Sequence, residues 1–158
     1  MKKNPVNKIV SALVIVFALV AIFVLYSACF SGANKLSSSY GSCFDVMFST
    51  GLSDKNAVVP FMIVGFVCLI VAVLLAFAGF VLERKQMIVL LLVLAALLVA
   101  NAVIFLFSVQ IWEAVQGISL SNTRDNALGS GAICSIIFSF LGAATALVGV
   151  YFNAKNAD

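Results

Sequence analysis

Polar and apolar positions along this chain separate into long blocks instead of alternating over short periods. After a polar start, MKKNPVNK, apolar runs occupy about residues 9–30, 58–82, 87–112 and 127–152. Each is near or above the roughly 20 residues that a helix needs to cross the hydrocarbon core of a bilayer. Lipid offers no partner to backbone N–H and C=O groups, so each run must close its hydrogen bonds within itself, as a helix. The short alternating segments of a membrane barrel are absent. The pattern therefore predicts an all-α fold: an antiparallel four-helix transmembrane bundle forming one domain over residues 1–158, with longer loops at 31–57 and 113–126 and a tight turn at 83–86.

Composition excludes the soluble alternative. Of 158 residues, 64% are hydrophobic and 9% charged, too few polar groups to clothe a water-exposed surface. The charges also orient the spans. Lys2, Lys3, Lys8, Arg84, Lys85 and Lys155 lie toward one side, whereas only Lys35, Lys55 and Arg124 lie toward the other. Cytoplasmic segments collect Lys and Arg, so both termini and the 83–86 turn are expected in the cytoplasm and the longer loops outside. That turn is too short to let spans two and three separate, which predicts a hairpin. The first span also has features of a cleaved leader, with Ser31-Gly32-Ala33 as a small-x-small site and Tyr26-Ser27-Ala28-Cys29 near a lipoprotein box. Its apolar run exceeds the roughly 7 to 15 residues of a signal core, and a retained helix is expected.

Small residues mark where the helices should meet. In span four Ala132, Ser135, Ser139, Gly142, Ala146 and Gly149 recur at spacings of three and four, which draws one stripe along a helix. Span two carries Gly65, Cys68, Ala72, Ala76 and Gly79, and span one Ala18, Ala21 and Ala28. Such stripes let backbones approach closely and gain dispersion contacts that lipid cannot supply. At about 1.5 Å of rise per residue, Asn101, Ser139 and Cys68 fall in one layer near mid-membrane. An amide in hydrocarbon needs partners, so Asn101 is expected to point inward and bond across the bundle to Ser139. That layer reads either as a helix lock or as a contact for an ion or ligand.

The chemistry that is missing narrows the function. The chain has no histidine, which removes imidazole metal sites, histidine-ligated haem and histidine acid-base catalysis. No charged residue lies deep in a span; Glu83 and Glu113 sit at span ends. A proton-coupled carrier normally keeps a buried carboxylate. Phosphate loops, nucleophile elbows and metalloprotease helices are also lacking. No enzymatic activity, cofactor, metal or nucleic-acid partner is expected, and the partners read from the chain are the lipid bilayer and either another membrane protein or a second copy. Cys29, Cys43, Cys68 and Cys134 form no C-x-x-C pair. A Cys29–Cys43 disulfide is open to the chain on the oxidising side of a membrane, subject to geometry. Cys68 and Cys134 read as small buried hydrophobes.

One stretch is unexplained by membrane residence alone: GSCFDVMFSTG, residues 41–51, gathers Phe44, Val46, Met47 and Phe48 around Asp45 inside a polar loop. Phe44, Val46 and Phe48 alternate with period two, which favours a short strand or a membrane-interface segment over a helix. The segment is either a lid on the bundle rim or an exposed contact for another protein. In the second loop Trp112 suits an aromatic belt, and Ser121 or Asn126 suits the cap of span four.

Four spans with an apolar first outer loop resemble claudins in architecture, although this loop has no Trp and only Cys43 within it. The whole topology resembles small four-span membrane proteins of Gram-positive bacteria. In those, a Phe-Asp-hydrophobic-hydrophobic-Phe-Gly-like segment follows span one and a short basic turn follows span two. Here Phe44-Asp45-Val46-Met47-Phe48, with Ser49 in the glycine's place, and Glu83-Arg84-Lys85 stand there. The resemblance implies a bacterial plasma membrane and no particular mechanism. The expected function is association, as an accessory subunit or self-assembling scaffold. A small oligomeric channel or carrier using the Asn101 layer and a thiol-based redox protein are the alternatives.

Overall fold

Proline opens one of the four long helices. A computed structural model describes residues 5–31, 42–48, 58–116 and 127–155; Lys2, Lys3, Lys35, Lys55, Ser121, Arg124 and Asn126, named above, lie outside them. Helix α1 spans Pro5–Phe23 among the described residues, and α3 (Pro60–Ala78) begins at Pro60. In a first helical turn the N–H groups have no intrahelical acceptor, so the missing donor is harmless there. Between these lie a tight 3-10 turn (Val24–Tyr26), strand β1 (Phe30–Ser31) and the short helix α2 (Cys43–Phe48). Then come α4 (Arg84–Leu106), α5 (Ser108–Gln116), strand β2 (Ala127–Leu128) and α6 (Ser130–Lys155). Apart from the two-residue β1–β2 pairing, the described elements are helical, and α1 with its 3-10 extension, α3, α4 and α6 are long and apolar enough to cross a membrane.

The helices pack in a ring. Helix α4 lies mainly against α6 and α3, and α1 mainly against the same two, which gives the order α1, α3, α4, α6 around the bundle. The small-residue stripe of α6 is buried throughout, and it is wedged between α1 and α4. A methyl group at Gly142 would come within 2.9 Å of Leu98 Cδ1 and 3.4 Å of Phe17 Cβ. One at Gly149 would come within 2.7 Å of Val10 Cγ1 and 2.8 Å of Leu91 Cδ1. In α3 Gly65, Ala72 and Ala76 are buried, as is Gly79 at its C-cap, whereas Cys68 is only half-buried on the flank of the stripe. The large side chains of α1 and α4, Val14, Leu91, Leu94, Leu98 and Phe105 among them, fill the centre.

Three boundaries differ from the apolar runs. Span one does not stay helical to Phe30: α1 tightens at 24–26 and the chain turns extended at Ser27. Other partners take over the backbone there, Gly129 N–H donating to Cys29 O at 2.7 Å and Gly131 N–H to Ala28 O at 2.8 Å. Ala28 is therefore a link residue and not part of the α1 stripe. Phe30 pairs with Leu128 and Ser31 with Ala127, so α6 starts at Ser130 and runs on to Lys155. Span three bends at Phe107, after which α5 turns Trp112 inward, edge-on to Phe30 at a centroid distance of 6.2 Å. Trp112 is 4% exposed, a core residue of the bundle end and not a lipid-facing belt residue.

The Gly129–Gly131 passage needs glycine on steric grounds. A Cβ on Gly129 would collide with the Ala28 carbonyl, and one on Gly131 would lie 2.6 Å from Ser27 O and 2.8 Å from Val24 O. The backbone after α1 thus lies directly on the start of α6, and the two glycines are what allow it.

Candidate functional site

Local hydrogen bonding decides the conformation of residues 42–48, the described part of the 41–51 stretch. Asp45 Oδ2 accepts from Ser42 N–H at 2.9 Å and from Ser42 Oγ at 2.8 Å, while Asp45 N–H donates to Ser42 Oγ at 3.2 Å. This is a capping box, with Asp in the place usually held by Glu, and it launches α2 as a helix. The expectation of a short strand or a membrane-interface segment in preference to a helix is overturned as to conformation: two reciprocal cap bonds outweigh a period-two pattern only three apolar residues long. A helical pattern was also written there, since Cys43, Val46 and Met47 stand at i, i+3 and i+4 and are all buried.

Helix α2 packs on the 3-10 turn and on α3. Cys43 N–H donates to Ser27 O at 3.2 Å, and Val59 N–H donates to Met47 O at 3.1 Å, tying α2 at both ends. Phe44 lies in an aromatic row, 4.6 Å from Tyr26, 5.1 Å and edge-on to Phe66, and 6.3 Å and parallel to Phe48. Phe48 and Tyr26 form the outward side of that row, 43% and 69% exposed. The segment is thus two-faced, with an inner face that covers the rim and an aromatic outer edge.

Beneath α2 the fold brings Cys29 and Cys43 together. Both are fully buried free thiols. The Cys29 thiol is pushed far above its ordinary range, first by its hydrogen bond with Cys43, then by burial, then by the field of Cys43. Cys68 and Cys134 are half-buried on α3 and α6.

Halfway along the bundle the structure joins Asn101 to Ser139 and Ser135. Asn101 Nδ2 donates to Ser139 Oγ at 2.8 Å and, more weakly, to Ser135 Oγ at 3.4 Å. All three side chains are fully buried. Gly65, not Cys68, stands opposite on α3: a Cβ there would lie 3.2 Å from Asn101 Oδ1. Depth along the axis placed Cys68 in this layer, but rotation about α3 turns residue 65 to α4 and residue 68 to the flank. Asn101 Oδ1 has no hydrogen-bond partner among the described residues. The layer carries no charge, and it can lock α4 to α6 or offer one acceptor.

Three further buried polar residues were not foreseen from the sequence. Asn7, Ser11 and Asn153 are buried at the opposite end of the bundle from α2. Asn153 Nδ2 donates to Gly149 O at 2.8 Å, which fixes the amide's orientation. Asn7 Oδ1, Ser11 Oγ and Asn153 Oδ1 have no partner among the described residues. The signal was present: Asn7, Ser11, Val14, Ala18, Ala21 and Leu25 continue one stripe at spacings of four and three, all buried. Starting the span at residue 9 cut Asn7 off.

Comparison with protein-family models, curated proteins and solved structures finds no match to this chain.

Proposed function

We propose that this chain is a non-enzymatic, multi-pass plasma-membrane protein that works by association, as an accessory subunit or a self-assembling scaffold, with α2 as its contact element. The observation that carries the reading is the two-faced build of α2: Cys43, Val46 and Met47 seal the rim, while Phe48 and Tyr26 remain exposed beside Phe44. Aromatic side chains grouped at an exposed edge supply large contact area at low entropic cost, the usual makings of an interaction hot spot. The seams inside the bundle supply a rigid mount for that edge.

The bundle is antiparallel with both termini in the cytoplasm. Side-chain register supports the first part, since Gly142 meets Phe17 while Gly149 meets Val10, and Gly65 meets Phe105 while Gly79 meets Met87. Six of the nine basic residues, Lys2, Lys3, Lys8, Arg84, Lys85 and Lys155, support the second and put α2 outside. The resemblance to four-span proteins of Gram-positive bacteria supports a bacterial plasma membrane.

A photo-crosslinking residue at position 48, activated in native membranes, tests the association. A discrete protein adduct, either a second copy or another membrane protein, is the expected product. Adducts to lipid alone, at position 48 and at position 26, would overturn the reading.

The carrier reading rests on one atom. Among the described residues Asn101 Oδ1 is a buried acceptor without a hydrogen-bond partner, as a solute-binding layer would require, but the side chain is fully enclosed by α3, α4 and α6. Gly65 of α3 faces the amide closely, a Cβ there lying 3.2 Å from Asn101 Oδ1, and the lock reading fits that enclosure better.

A further inference from the structure

We infer that Cys29 and Cys43 are a disulfide-forming pair whose oxidation fastens α2 to the bundle rim. The two cysteines come from segments that the fold brings together on independent grounds. Cys43 N–H bonds to Ser27 O two residues before Cys29, and the Tyr26 and Phe44 rings beside them are 4.6 Å apart. Cys29 is itself pinned from the other side, its carbonyl accepting Gly129 N–H at 2.7 Å. Both thiols are fully buried in the same cluster of apolar side chains and hydrogen-bond to one another.

That burial sets how the pair works. In the closed dithiol form no reagent reaches either sulfur, so oxidation proceeds from conformations in which α2 has lifted. Two backbone hydrogen bonds, the aromatic row and the buried Cys43, Val46 and Met47 side chains hold α2 down, and so short an element opens at less cost than the whole bundle unfolds. The oxidant is an external disulfide, R–S–S–R, of a small molecule or a protein. One cysteine thiolate opens it and forms a mixed disulfide, releasing one RS–; the second cysteine then displaces the other RS– and closes the Cys29–Cys43 bond. Two thiols are oxidised, one disulfide is reduced to two thiols, and the two cysteine protons end on the released sulfurs. The bond then closes the 29–43 loop and restricts the lifted state. The aromatic edge of α2 is thereby held in one position under oxidising conditions and released under reducing ones. The inference rests on the proposed external placement of α2 only for the source of the oxidant.

The test uses the full-length protein in detergent with oxidised glutathione as the disulfide. A variant carrying Cys68→Ser and Cys134→Ser retains the pair alone and is read in the same way. Non-reducing peptide mapping should show a Cys29–Cys43 bond. Chymotryptic cleavage at Phe44 and Phe48 should slow by at least about tenfold, because loop closure disfavours the open state and cleavage follows its population. Reduction should restore the rate, and Cys43→Ser should abolish the response to oxidant. Full alkylation of both thiols after oxidation, a bond to Cys68 or Cys134, or a bond that leaves cleavage unchanged would each overturn the inference. Placement of α2 is read separately, by labelling Phe48→Cys in intact cells with an impermeant maleimide, so that its failure is not confused with failure of the disulfide.

Discussion

Asn101 Nδ2 donates to Ser139 Oγ across 2.8 Å, joining α4 to α6 where neither side chain is exposed. Hydrogen bonds between membrane helices contribute modestly, about 0.6 kcal/mol on average and up to about 1.7. Asn101→Ala should therefore destabilise the bundle by about 1 kcal/mol, and a cycle with Ser139→Ala should give a coupling of about 0.6 kcal/mol. Unfolding in detergent by denaturant titration reads both. A carrier would instead lose transport with little change in stability.

Ser11 and Gly79 make the opposite case. The Ser11 hydroxyl is buried with no hydrogen-bond partner among the described residues and occupies the space a methyl at Gly79 would need. Ser11→Ala removes an unsatisfied group, so it should be neutral or slightly stabilising. Gly79→Ala overpacks the α1–α3 contact and should cost about 1 to 3 kcal/mol. The double variant should recover most of that loss, since the methyl then takes the place of the hydroxyl. Thermal midpoints of the four proteins in one detergent decide it.

For α2, the two phenylalanines separate folding from contact. Phe44 packs on Tyr26 and Phe66, and Phe44→Ser should weaken the closed position by about 1 to 3 kcal/mol. Loss of the cap through Asp45→Ala should cost about 1 kcal/mol. Both variants should speed cleavage near α2 by proteinase K, which does not depend on a phenylalanine site, while leaving the four long helices inserted. Phe48→Ser, at an exposed position, should leave that cleavage unchanged and reduce only the partner's recovery from a photo-crosslinker at position 26.

The Cys29 thiol predicts an alkaline limit. Its hydrogen bond with Cys43 and its burial raise its folded-state ionisation far above the ordinary 9.0. A raised folded value means that the stabilisation is complete below the unfolded value, and is lost as pH rises above it while the unfolded chain alone releases the proton. Stability should therefore fall above pH 9.0 by at most about 1.4 kcal/mol per pH unit from this group. Cys29→Ala should remove that part of the slope. Thiolate-directed alkylation of Cys29 in the folded protein should stay slow through the same range.

Much of the fold follows from local arithmetic. Run length alone requires four helices, because each must satisfy its own backbone in lipid, and the spacing of Ser135, Ser139, Gly142, Ala146 and Gly149 names the contact face of α6 before any partner is known. The site was less legible. Period two in Phe44, Val46 and Phe48 pointed away from a helix, while Ser42 and Asp45, three residues apart, carried the stronger instruction. Trp112 suited a lipid interface by type and depth, yet the bend at Phe107 buries it against Phe30.

What the chain determines by itself is therefore one-dimensional: which segments are apolar enough and long enough to be helices, which face of each is small, and which residues carry no usable chemistry. The tertiary structure alone decided the ring order α1, α3, α4, α6, the choice of Gly65 over Cys68 opposite Asn101, and the meeting of Cys29 with Cys43 beneath α2. The reason is physical. Hydrophobicity and axial rise depend on residue type and number, but rotation about each helix axis and the path of the chain between helices depend on how several surfaces pack at once.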